Sequence, residues 1–455
     1  MASNPAVRTS EQTKQDQHTQ PAGAGLVETP KSLGRAVANT IKGALGNLVE
    51  WYDVYVYTVF LKYFEGHFLS PEDKNATVVI WAVFAVTFVM RPVGSWFFGR
   101  YADRRGRRPA LTLSVCIMAS CSFIIGILPG REVIGGWAIL ALMACRLVQG
   151  FATGGEYGTS ATYMSEAAVR GRRGFFSSFQ CTTLVAGHVL AQSVLLIFSL
   201  TMSQEALHAW GWRVAFIIGG LLAIGVLILR RTMDESLSEE HLQATRSGED
   251  TTAGTLGELL KHYWRPFVLV FFLTTGGTVC FYTFSVNAPS IVKATFADSP
   301  VTATVLNLVG LSFLMLIQPL GGLISDRVGR KPLYLFFGFG ALAYTWVLVL
   351  VLPTVHTPIL SLLIVMVGYV ILTGYTSINA VVKADQFPPQ VRAIGLGTGY
   401  ALANSMFGGT APMIYNLSKQ HADTLWFVVY VMVIVSTTVI AALFFLKENG
   451  RLDQS

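Results

Sequence analysis

Apolar residues run through this chain in long blocks, not in the strict alternation of a half-buried strand or the one-sided stripe of a soluble helix. A helix needs roughly 20 largely apolar residues to cross a hydrocarbon core of about 30 Å. Twelve stretches reach that length: 36–64, 76–101, 108–129, 134–163, 172–201, 211–231, 264–293, 300–326, 332–352, 357–384, 391–419 and 424–447. Six precede a polar centre, 232–263, and six follow it. That centre contains DESLSEEHLQATRSGED and reads as a linker with some amphipathic helix. The first 34 residues are polar, rich in Gln, Thr, Pro and Ala, and have no apolar core of the kind a secretory signal needs. The expected organisation is a disordered tail over 1–34, a six-helix half over 35–231, the linker over 232–263, a second six-helix half over 264–447 and a short tail over 448–455. The fold class is thus an all-α membrane protein.

Charge enters where the apolar blocks stop. GRYADRRGRRP, Gly99 to Pro109, recurs in the second half as GLISDRVGRKP, Gly322 to Pro332. The identities are Gly99/Gly322, Asp103/Asp326, Arg104/Arg327, Gly106/Gly329, Arg107/Arg330 and Pro109/Pro332. A fainter echo follows the fourth and tenth spans, where Glu166 precedes Arg173 and Asp385 precedes Arg392 by the same spacing. Two repeats in the same order predict two homologous halves.

Composition agrees, since 52% hydrophobic and 13% charged residues do not suit several soluble domains over 455 residues. A net charge of +7 could suit nucleic acid, but the basic residues crowd into alternate loops, while the loop between Pro129 and Gly136 has only Arg131. By the positive-inside rule those basic loops, and with them both termini, are expected in the cytoplasm of a bacterial cell, the chain lying in the inner membrane as a monomer. The five cysteines all fall inside spans without metal-ligand spacing. They read as free thiols, and no cofactor or metal is expected.

Ionisable residues inside spans are costly and usually face a cavity or a partner. Glu50, Asp53 and Tyr57 share one face of the first helix. The two acids are read either as fixed partners of buried arginines or as carriers of a coupled proton, because burial and a nearby cation act on a carboxyl group in opposite senses. Arg91 precedes Pro92 in an otherwise apolar second span, and Arg146 heads a stripe of Gly150, Gly154 and Gly158. The stripe suits close helix packing, and each guanidinium needs an acid or an anionic substrate. Glu156 reads as a fixed interhelix partner, with a second proton site as the other reading. Tyr282, Tyr375 and Lys383 are the polar candidates of the second half, the tyrosines lining a cavity or belonging to the core, and the lysine either binding substrate or reaching out to the headgroups. In the repeated loop, Gly99, Asp103, Arg104, Gly106 and Arg107, with Asp326, Arg327, Gly329 and Arg330, are expected to form a latch that closes one side, because topology explains the arginines but not the aspartate or the glycine.

Twelve spans in two halves, each with a G-x-x-x-D-R-x-G-R-[RK] loop after its second helix, resemble the major facilitator superfamily. Within it, GNLVEWYDVYVY (Gly46 to Tyr57), Met90 to Arg108 and RLVQGFATGGEYGTSATYMSE (Arg146 to Glu166) are similar to the metabolite:proton symporters. CFYTF (Cys280 to Phe284) and Tyr375 to Gly395 resemble the bacterial α-ketoglutarate permeases among them. The resemblance implies alternating access between halves and uptake of a small organic anion with protons, with α-ketoglutarate or a related dicarboxylate as the first expectation. SVNAPSIV and GGTAPMIY depart from the permease pattern, which leaves citrate, shikimate, a monocarboxylate or an osmolyte open. A non-transporting sensor would need a signalling domain that the tail and linker are too short to supply, and no catalytic set marks an enzyme. The resemblance also implies a pair between Asp53 and Arg146 that opens on protonation, and a substrate site of Arg91, Arg146, Tyr282, Tyr375 and Lys383.

Overall fold

A computed structural model of the chain describes residues 33–70, 76–168, 171–231, 243, 255–420 and 423–447, and every regular element among them is a helix. The first half holds α1 (Leu33–Phe68), α2 (Ala76–Arg105), α3 (Arg107–Ile127), α4 (Trp137–Ala167), α5 (Arg173–Thr201) and α6 (Gln204–Arg230). The second holds α7 (Trp264–Thr295), α8 (Pro300–Val328), α9 (Arg330–Thr354), α10 (Pro358–Ala384), α11 (Arg392–Phe407, resuming as Thr410–Gln420) and α12 (Leu425–Phe444). Short helices at Arg131–Ile134 and Leu256–His262 lie between spans. The predicted spans and these helices coincide to within a few residues at most ends, although α6 begins earlier than expected. Of the expected tails, residues 1–32 and 448–455 lie outside the described residues, as does the linker up to 254 except residue 243, while Leu33 and Gly34 already belong to α1.

Among the described residues, nine helices are long and apolar enough to cross a bilayer by length and composition. α1 carries Asn47, Glu50 and Asp53 in its middle, and α11 is interrupted at Gly408 and Gly409. Both departures mark helices that face the interior of the bundle.

The repeated loop is a single-residue hinge. Gly106 (φ 107°) separates α2 from α3, and Gly329 (φ 102°) separates α8 from α9. Both adopt a backbone conformation that a side chain disfavours, so each glycine turns the chain in one step and lets the next helix start at Arg107 or Arg330.

Small residues then bring the helices together. A Cβ on Gly150 or Gly154 would strike the α2 backbone at Thr87 or Arg91, so α4 and α2 meet backbone to backbone. Gly158 extends the stripe across the halves, where its Cβ would lie 2.6 Å from Gly397 Cα on α11. The two halves meet mainly where α2 runs along α11 and α5 along α8.

Candidate functional site

The central cavity and its cations. A cavity of about 40 Å³ lies between the halves, walled by Trp51, Tyr157, Tyr282, Tyr375, Tyr400 and Asn404 among others. That is room for about three water molecules. Two buried cations stand behind its aromatic wall, one from each half. Arg91 of α2 lies over the Phe88 ring at 4.2 Å and the Trp51 ring at 5.6 Å, beside the Tyr282 hydroxyl. Its Nε and Nη2 have no hydrogen-bond partner among the described residues.

Lys383 of α10 is fully buried and donates to Tyr375 Oη at 3.2 Å. The rings of Tyr400, Tyr375 and Tyr157 surround its ammonium at 4.8, 5.5 and 5.9 Å. A turn at Ser377 and Ile378 interrupts α10, and after it Lys383 points into the bundle. The ammonium is thus turned inward and does not reach for the headgroups. Neighbouring Asp385 is turned elsewhere, to Arg173 at 2.6 Å and to Arg330.

Of the expected substrate residues, Tyr282 and Tyr375 line the cavity, while Arg91 and Lys383 stand behind its rings. Arg146 does not join them. It packs under the Tyr57 ring at 4.2 Å and bonds Gln149. Tyr157 and Tyr400 were not singled out in the sequence. Their rings stack across the halves at 3.5 Å and 14°, and Tyr157 Oη accepts from Asn379 Nδ2 at 2.5 Å. The available signal was a tyrosine set among glycines in mid-span, GGEYG and GTGYA.

The coupling network. Asp53 and Arg146 do not pair directly among the described contacts. Gln149 stands between them, donating from Nε2 to Asp53 Oδ2 at 2.5 Å and accepting from Arg146 Nη1 at 2.8 Å. Ser122 of α3 also donates to Asp53. The expected ion pair is thus a relay, because the side-chain amide can serve an acid and a guanidinium at once. Glu50, on the same helix face, belongs to another set of neighbours: Arg91, Glu156 and Arg230. Glu156 forms a buried ion pair with Arg230 of α6 and accepts from Ser114, which matches its reading as an interhelix partner. Arg230, at the very end of an apolar run, was not anticipated.

The charged end. Asp103 pairs with Arg107 and accepts from the backbone N–H groups of Ala393 (3.1 Å) and Ile394 (3.0 Å) at the start of α11. Asp326 does the same at the start of α5, accepting from Gly174 (2.7 Å) and Phe175 (2.9 Å). Each motif carboxylate thus binds a helix N-terminus of the opposite half, where unpaired N–H groups and the helix dipole favour an anion. Gly99 and Gly322 permit the approach, since a Cβ on Gly99 would lie 2.7 Å from Ile394 Cα and one on Gly322 would lie 2.9 Å from Phe175 Cα. Arg107 adds a bond to Pro389 O at 3.1 Å. Arg330 and Arg173 converge on Asp385, whereas Arg327 is exposed and Arg104 is half-buried. The repeated loop therefore ties the two halves together at this end.

Comparison with known proteins. A family model described as "Sugar (and other) transporter" matches residues 40–255 and again 237–451. The α-ketoglutarate permease of Escherichia coli K12 is 40% identical over 425 residues, covering 93% of this chain and 96% of that protein. The citrate-proton symporter of Klebsiella pneumoniae is 28% identical, with 84% of this chain and 85% of that protein covered. The glycine betaine/proline/ectoine/pipecolic acid transporter OusA of Dickeya dadantii is 28% identical over 92% of this chain and 84% of its own length. Among solved structures, the proton:xylose symporter XylE bound to 6-bromo-6-deoxy-D-glucose superposes with a TM-score of 0.74 at 19% identity, covering 91% of this chain and 97% of that one. By fold, by repeat and by sequence, the chain belongs to the sugar (and other) transporter family of the major facilitator superfamily.

Proposed function

We propose that this multi-pass membrane protein, a transporter and not an enzyme, imports α-ketoglutarate or a closely related dicarboxylate together with protons across a bacterial inner membrane. The observation that carries this reading is the pair of buried basic residues, Arg91 and Lys383, one from each half, standing behind the aromatic wall of one cavity. Neither has a carboxylate within ion-pair distance among the described residues. A dianion can bridge two such cations, with each carboxylate making charge-assisted bonds to one half. The likeness to the Escherichia coli α-ketoglutarate permease points to the same substrate class.

The osmolyte alternative fits less well. A zwitterion carries one carboxylate and would answer only one of the two cations. Citrate shares the chemistry of the proposed substrate and differs in size and charge, so it is the competing reading to measure.

In the proposed cycle the charged end faces the cytoplasm and is closed in this conformer. Substrate binding draws Arg91 and Lys383 towards one molecule, and the Asp103 and Asp326 contacts then release so that the halves rock about the site. Asp53 carries a coupled proton, its charge passed to or shielded from Arg146 through Gln149. Competition for labelled α-ketoglutarate uptake in proteoliposomes tests the assignment. Unlabelled succinate and α-ketoglutarate are expected to compete strongly, citrate weakly, and proline and betaine not at all. Strong competition by betaine without competition by dicarboxylates would sink it.

A further inference from the structure

We infer that Glu50 carries a second coupled proton, distinct from the one on Asp53, and that its carboxylate competes with the substrate for Arg91. The inference rests on the dicarboxylate symport proposed above and concerns how many protons accompany the anion.

Glu50 is buried in the middle of α1, and neither of its carboxyl oxygens has a hydrogen-bond partner among the described residues. The charged and titratable groups facing it are Arg91 from α2, Glu156 from α4, Arg230 from α6, Tyr400 from α11 and Asp53 from its own helix. Arg230 is committed, to Glu156 and to the Leu111 carbonyl. Arg91 is not, since it touches Tyr282 and two aromatic rings while its Nε and Nη2 stay without partners. An orphaned carboxyl and a half-orphaned guanidinium thus lie near one another on adjoining helices without bonding.

An ionised Glu50 in this dry interior would be expected to take Arg91 in a charge-assisted, often bidentate pair. A buried carboxylate left bare is costly, and a neutral carboxylic acid is far less so. The arrangement is therefore that of a protonated Glu50 and an arginine left free for an incoming carboxylate. Asp53, by contrast, accepts from Ser122 and Gln149, so the two acids of one helix face serve separate networks.

The charge balance closes with two protons. One proton passes from external water to a Glu50 oxygen, which frees Arg91 for one substrate carboxylate. When the cytoplasmic side opens and the substrate leaves Arg91, the Glu50 proton is lost to cytoplasmic water and the resulting carboxylate takes the arginine until the carrier returns. With the proton on Asp53, a dianion then crosses with no net charge.

The test is the steady accumulation of labelled α-ketoglutarate in proteoliposomes at clamped zero membrane potential and an imposed pH difference. Each coupled proton multiplies the accumulation ratio by about ten per pH unit, so wild type is expected near a hundredfold and Glu50→Gln near tenfold. A wild-type ratio near tenfold, or an unchanged ratio in E50Q, overturns the inference. A second readout needs neither a variant nor transport: a hydrophobic carbodiimide adds to protonated carboxyl groups within the membrane, and peptide mass spectrometry of the treated wild-type protein should find the adduct on Glu50 and not on Glu156. Absence of the Glu50 adduct overturns the inference as well. If wild type fails to accumulate α-ketoglutarate at all while Glu50 is labelled, the substrate assignment fails and the second proton site stands.

Discussion

Lys383 sits in a ring of three tyrosines with one hydrogen bond, to Tyr375, which leaves most of its donor capacity unused. A substrate carboxylate would complete it. Hydrogen bonds to charged groups contribute about 1.5–3 kcal/mol each, so Lys383→Met and Arg91→Gln should each raise the KM for α-ketoglutarate by about ten- to a hundredfold in initial-rate uptake. Variants whose KM stays within about twofold of wild type would remove both residues from the site. Asp53→Asn should lower gradient-driven accumulation about tenfold per pH unit and keep substrate exchange at equal pH, because one of the two coupled protons is lost and exchange needs no net proton movement.

The acids and arginines were legible at this scale because an ionisable group inside an apolar run is its own signal, as at Asp53, Arg91 and Arg146. Their partners were not. Gln149 is an ordinary polar residue whose relay role depends on α1 lying beside α4. Arg230 falls at a helix end, where a headgroup-facing arginine is the plainer reading, and only packing against α4 shows it buried on Glu156.

Among the elements, the hinge glycines and motif aspartates work as one device on each half. Asp103 reaches the start of α11 and Asp326 the start of α5, so removing either carboxylate unmakes two N–H bonds across the halves. An anion at a helix N-terminus contributes up to about 2 kcal/mol, enough to shift the balance of closed and open forms at this end by roughly thirtyfold. Asp103→Ala and Asp326→Ala should therefore broaden the distance between spin labels placed on the two charged loops and change the rate of substrate-driven cycling. A distance distribution and cycling rate equal to wild type would contradict the latch.

Gly158→Val should act in the same direction by wedging α4 from α11 at Gly397. The sequence displayed the motif, its duplication and the need for a glycine, since repetition is visible along a chain. It did not display that each carboxylate crosses to a helix start of the other half, because that contact joins residues about 150 to 290 positions apart. The break in α10 that aims Lys383 inward was also hidden, because Thr376 to Asn379 carries neither Gly nor Pro to announce it.

For the molecule as a whole, run length alone predicted twelve helices and internal repetition predicted their grouping. The family model matches once over residues 40–255 and again over 237–451. The proposed sidedness rests on loop charge, and it is testable in intact cells on a variant lacking the native cysteines. An impermeant thiol reagent should label Glu132→Cys, in the short helix between α3 and α4, from outside, and should label Arg172→Cys, just before α5, only after the membrane is opened. The reverse pattern would invert the proposed direction of transport.

Two cations from two halves behind the wall of one small cavity make transport of a dianion the central claim. It is tested most directly by labelled α-ketoglutarate uptake into proteoliposomes, with and without a proton gradient directed inward. The account predicts accumulation above the external concentration when the outside is acidic, and mere equilibration when the gradient is collapsed. Equal uptake under both conditions, or none under either, would contradict it.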